Sequence, residues 1–162
     1  MTYYTYNNII DLLNLYARGS TQIKRFGAGS ISDIDSMINQ AQTFPIMWAN
    51  LIDVTAPTLN TKNYNFNLLV FDTLNPNKEN EQEVWSDCLS ICEDIVRFLY
   101  WAQSKNYNII LPVKFTTFTE RFTDFVAGAN LNITIQVDAD LQNSCGIAGS
   151  INELQNLPPV IN

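Results

Sequence analysis

Apolar side chains recur at Ile9, Leu12, Leu13 and Tyr16, three and four residues apart. That spacing predicts an amphipathic helix over residues 5–17, capped by Thr5 or Asn7 and stopped by Gly19. Ile34, Met37, Ile38 and Ala41 repeat the pattern over a shorter stretch. Ser32 is the expected cap there, Asp33 and Asp35 suit the positive end of the helix dipole, and Phe44-Pro45 ends the helix. Over residues 79–104 the stripe Val84, Cys88, Ile91, Ile95 and Leu99, flanked by Trp85, Leu89, Cys92 and Val96, predicts the longest helix. Asn77 or Asn80 can cap it, and Glu79, Glu81 and Glu83 favour its N-terminal dipole.

Four segments carry strand patterns. Residues 45–54, with Ile46, Met47, Trp48, Leu51 and Ile52, are apolar enough for burial on both faces. Residues 64–74 alternate at first and then run apolar through Leu69-Val70-Phe71. Residues 109–119 place Ile109, Leu111, Val113, Phe115 and Thr117 on one face. Residues 131–137 alternate most cleanly, with Leu131, Ile133, Ile135 and Val137 one way and Asn132, Thr134 and Gln136 the other, so this strand has a wet face. The links within the first and last pairs are too short for a helical crossover, so each pair is expected to be an antiparallel hairpin. Together these elements predict an α+β fold: a mostly antiparallel four-stranded sheet with one long and one or two shorter helices packed on one face. One domain is expected over residues 1–144, with an extended tail over 145–162 ending in Leu157-Pro158-Pro159-Val160.

Composition narrows the chemistry. The 162 residues contain no histidine, which removes every Ser-His-Asp, Cys-His and His-metal arrangement. Sixteen acidic against nine basic side chains give a net charge of −7, which argues against a protein that coats nucleic acid. No run approaches the ~20 apolar residues of a membrane span, and the first residues lack the pattern of a secretory signal. Cys88, Cys92 and Cys145 follow no disulfide or metal spacing and read as small core residues in a reducing cytoplasm. Twenty asparagines cluster at 60–67, at 75–80 and at 106 and 108, and are expected to mark loops. Asp53, Asp72, Asp124, Asp138 and Asp140 lie near strand ends in no metal motif, and Ser86 and Ser90 have no base to activate them, so no catalytic, cofactor or metal residue is expected. A carboxylate-held divalent metal serving a nuclease is the weakest of three functional readings.

Two segments carry candidate contact residues. Residues 18–30 hold Arg18, Lys24, Arg25 and Phe26 with no acid, a net-basic stretch in an acidic chain; three glycines make it a mobile loop or a docking arm for an acidic surface. Residues 120–128 set Glu120, Arg121 and Asp124 beside Phe122 and Phe125, either an ion pair ordering the turn or a subunit contact of aromatics and arginine. From these features alone a monomeric or dimeric adaptor stands beside an assembly subunit.

The motif order favours the assembly subunit. Phe26-Gly27-Ala28-Gly29, Phe44-Pro45-Ile46-Met47-Trp48, Leu69-Val70-Phe71-Asp72, Asn80-Glu81 with Val84-Trp85-Ser86-Asp87, the run from Phe118 to Asp124, Ala127-Gly128 and Asn143-Ser144-Cys145-Gly146 follow one another along most of the chain. In order and spacing this resembles a family of small proteins from tailed bacteriophages of Bacteroidetes, including crAss-like phages, that look like tail-completion, tail-terminator or neck-ring proteins. The family's usual proline after the late cysteine is replaced here by Gly146-Ile147-Ala148. The resemblance implies a tail-terminator-like subunit of the virion. It would form a homo-oligomeric ring beside portal, adaptor or tail proteins, without enzymatic activity, sequence-specific nucleic acid or membrane.

Overall fold

The computed structural model describes residues 4–40, 43–103, 106–119 and 125–141. Helix α1 (Tyr6–Gly19) is followed by strand β1 (Arg25–Ala28), a 3-10 turn (Ile31–Asp33) and helix α2 (Ile34–Gln40). Strands β2 (Ile46–Thr58) and β3 (Thr61–Thr73), helix α3 (Glu81–Trp101) and strands β4 (Tyr107–Thr119) and β5 (Val126–Asp138) complete the order. The fold is α+β, and both expected hairpins form: β2 with β3, and β4 with β5, each antiparallel.

The sheet differs from expectation in two ways. It has five strands in the order β1-β2-β3-β5-β4 and is mixed, because β1 lies parallel to the start of β2, Arg25 opposite Ile46 and Ala28 opposite Ala49. Strand β1 falls inside the glycine-rich basic stretch read as a mobile loop. Gly27 gains a fixed place there because a Cβ would overlap the Trp48 ring and stand 2.8 Å from Met37 Sδ, so only glycine lets the backbone approach. Helices also cover both faces. Ile9 and Leu13 of α1 and Val84, Cys88, Ile91, Cys92, Ile95 and Leu99 of α3 pack on Met47, Phe66, Leu68, Val70, Leu131, Ile133 and Ile135. Ile34 and Met37 of α2 pack on the opposite face, with Ile46, Trp48, Leu69, Phe71 and Val126. The period-2 alternation of β2 and β3 makes this possible, since adjacent apolar residues feed two cores.

Local chemistry explains the boundaries. Thr5 and Asn8 form a reciprocal capping box at the start of α1. The cap ahead of α2 is Ser30 rather than Ser32, with Asp33 closing the box. Asn80 precedes α3 but its amide does not cap it; it accepts from Asn75 N at 2.8 Å and donates to Thr73 O at 3.2 Å, tying the end of β3 to the helix. Strand β2 is buried on both faces only over Ile46–Ala49; from Ile52 onward it is exposed, and the hairpin turns tightly at Leu59 and Asn60. In β4 the expected single apolar face is broken. The register shifts between Ile110 and Lys114, around the cis Leu111-Pro112 bond, so Ile109 is buried while Leu111 is 67% exposed. Ala41, Ser104, the segment 120–124 and the tail from 145 lie outside the described residues.

Candidate partner-binding surface

Four of the expected contact residues meet in one cleft. Helix α1 ends at Gly19, and Ser20 Oγ accepts from the backbone N–H groups of Gln22 and Ile23, turning the chain back. Ile23 is buried in the larger core and anchors the turn, and Lys24 N donates to Pro45 O at 2.9 Å as β1 joins the sheet. This brings Arg18, on the last turn of α1, beside Lys24, Arg25 and Phe26 around a cleft of about 320 Å³ that Asn14 also lines. Among the described residues no carboxylate lines it. Lys24 Nζ donates to Thr21 O at 2.8 Å, while Arg18 and Arg25 make no ion pair among the described residues. A cleft lined by three cationic residues and by no carboxylate among the described residues favours a carboxylate-bearing partner.

Of the second candidate segment, Glu120, Arg121, Phe122 and Asp124 lie outside the described residues. Phe125 follows them, 48% exposed at φ 70°, and its carbonyl accepts from Leu74 N at 2.6 Å. An exposed aromatic side chain on a left-handed backbone is thus fixed at the start of β5.

Other exposed features surround these. A cleft of about 590 Å³ lies between the end of α1 and α3, where Leu15, Tyr16 and Phe98 meet Asp94. The Tyr16 hydroxyl is pushed up to about 12 by burial and by the negative charge of Asp94. Ile52, Val54 and Leu59 are exposed on the outer half of the β2–β3 hairpin, and Leu111 and Phe115 on β4. Helix α3 carries acids with two different fates. Glu81 accepts from Thr119 Oγ1 at 2.6 Å, and Arg97 pairs with Glu93 at 3.1 Å and Asp94 at 2.5 Å. Glu83 and Asp87, exposed one turn apart, have no hydrogen bond or ion pair among the described residues. The spacing of these two was present in the sequence, but Glu83 was read only as dipole compensation and Asp87 only as part of the motif order.

Of the asparagine cluster at 60–67 only Asn60 lies in a turn. Asn63, Asn65 and Asn67 stand on β3, opposite Gln136, Thr134 and Asn132 of β5. Gln136 Nε2 donates to Asn63 Oδ1 at 2.9 Å, Thr134 Oγ1 donates to Asn65 Oδ1 at 2.6 Å, and Asn65 Nδ2 donates to Asp53. The wet face expected for the last strand is therefore an amide ladder spanning three strands. Cys88 and Cys92 are free and buried, and burial pushes both thiols up, Cys92 to about 12. Among the described residues no three Cys, Asp or Glu side chains converge as a metal site, and no helix is long and apolar enough to cross a membrane. No protein-family model matches the chain, and no characterised protein matches it significantly.

Proposed function

We propose that the protein is a structural virion subunit, tail-terminator-like in fold, that forms a homo-oligomeric ring in the neck or tail of a tailed phage. It sits between portal or adaptor and tail proteins and performs no bond-making step. The observation that carries this reading is the basic cleft of Arg18, Lys24 and Arg25 in a chain of net charge −7. A closed ring needs one patch that fits a different patch on the next copy, and a cationic cleft on an acidic molecule meets that condition. Exposed Ile52, Val54 and Leu59 on the β2–β3 hairpin and Leu111 and Phe115 on β4 offer apolar side chains to neighbouring subunits. The resemblance in motif order to phage neck and tail-completion proteins supplies the setting.

Mass spectrometry and cryo-electron microscopy of particles of the phage that encodes the chain test the reading. The expected result is the chain in several copies arranged as a ring at the head–tail junction. Its absence from purified particles overturns the proposal.

A further inference from the structure

We infer that the basic cleft at the end of α1 receives the Glu83–Asp87 stripe of α3 from a second copy of the chain. The inference rests on the ring reading and names the contact that builds the ring.

Both halves of the contact are present on the molecule, and neither is satisfied among the described residues. Arg18 and Arg25 line the cleft without an acid, and Glu83 and Asp87 stand exposed without a cation among the described residues. The stripe has the geometry of a ligand for paired guanidinium groups: carboxylates four residues apart on a helix lie about 6 Å apart along its axis, and each can accept two parallel N–H bonds from an arginine. The other acids of α3 are already engaged, Glu81 by Thr119 and Glu93 and Asp94 by Arg97. Asn14 and Lys24 add donors to the cleft, and Phe26 gives it an apolar wall. A nucleic-acid phosphate is the competing occupant. The net charge of −7 repels a polyanion as a whole, whereas it leaves a local contact between two copies to be decided by the facing side chains.

The experiment is sedimentation of the full chain across a concentration series at about 0.1 M salt, a regime that screens long-range repulsion but not contact pairs. Four samples are compared: the natural chain, Arg18→Glu/Arg25→Glu, Glu83→Lys/Asp87→Lys, and an equimolar mixture of the two variants. Arg18, Glu83 and Asp87 are exposed and Arg25 is half-buried on the edge strand β1, so circular dichroism checks that each variant folds. The natural chain should self-associate, each variant should associate at least tenfold more weakly, and the mixture should recover association because an acidic cleft then meets a basic stripe. General charge repulsion cannot produce this pattern, since the first variant is more acidic than the natural chain and the second less so. Unchanged association in both variants overturns the contact while leaving the ring reading in place. A natural chain that stays monomeric also overturns it, and presence in the particle then judges the ring reading separately. Retention of duplex DNA that is lost on Arg18→Glu/Arg25→Glu, with association unchanged, assigns the cleft to nucleic acid and overturns it as well.

Discussion

Gly128 stands in β5 opposite Phe71, where an added Cβ would meet the Val70 carbonyl oxygen and stand 2.7 Å from Phe71 Cα. Both are backbone atoms at the centre of the sheet, so neither can move aside as a flexible side chain does. Gly128→Ala is expected to cost about 2–3 kcal/mol, the upper range for overpacking a filled interior. Gly19→Ala, with nothing within 4 Å of the new atom, should be neutral or slightly stabilising. Denaturant midpoints of the two variants check this contrast. The buried thiols act at the same scale through pH. Cys92 is held protonated up to about 12 in the fold against an ordinary value of 9.0, and Cys88 is shifted the same way. Above pH 9 the unfolded chain releases these protons and the native one does not, so the native state binds more protons and stability falls as pH rises from 9 towards 12. Tyr107, whose buried hydroxyl donates to Leu99 O at 2.8 Å and is pushed up to about 12, adds to the same loss. Urea unfolding at pH 7, 9 and 10.5 should show a midpoint that is flat to pH 9 and declines beyond it. Cys88→Ala/Cys92→Ala should reduce the decline.

Helix α3 is tied to the sheet by more than its apolar stripe: Trp85 Nε1 donates to Phe118 O at 3.0 Å, pinning the helix start to the end of β4. Trp85→Phe keeps most of the packing and removes the indole hydrogen bond. It should cost about 1 kcal/mol, read as a lower thermal midpoint with an unchanged circular dichroism spectrum. The periodicity of this helix was plain in the sequence because one face carries its whole core, and Val84, Cys88, Ile91, Ile95 and Leu99 are all buried. Leu131, Ile133, Ile135 and Val137 were legible for the same reason. Strand β1 was hidden because four residues, one of them glycine, show no alternation, and its partner lies about twenty residues on. Asn65 and Asn67 were legible in their alternation with Tyr64, Phe66 and Leu68, whereas Asn63, before that run, was masked by the turn preference of its residue type. The break in β4 was signalled by Pro112, which tolerates an edge or a bulge but not a regular central strand. The cleft itself was half legible: Arg18, Lys24, Arg25 and Phe26 were grouped by charge, but only the reversal of the chain after α1 turns the group into a cavity.

At the scale of the whole molecule two electrostatic effects of opposite sign act on association, and their ranges differ. Copies of net charge −7 repel over the Debye length, which is about 30 Å at 0.01 M salt and about 10 Å at 0.1 M. The attraction between the cleft and the α3 stripe acts at contact distance and weakens only when the Debye length falls to about 3 Å, near 1 M. Self-association should therefore be non-monotonic in salt. It should be weak at 0.01 M, where whole-molecule repulsion dominates, strongest near 0.1–0.2 M, and weaker again at 1 M. Reversal of Arg18 and Arg25 removes the attractive component, so association of that variant should only rise with salt. Exposed Ile52, Val54, Leu111 and Phe115 remain in the variant, and burying apolar surface is not opposed by added salt. Light scattering across the salt series separates the two curves. A maximum in the natural chain that the variant lacks assigns the high-salt decline to the cleft. A monotonic rise in both would mean that apolar contacts alone join the copies.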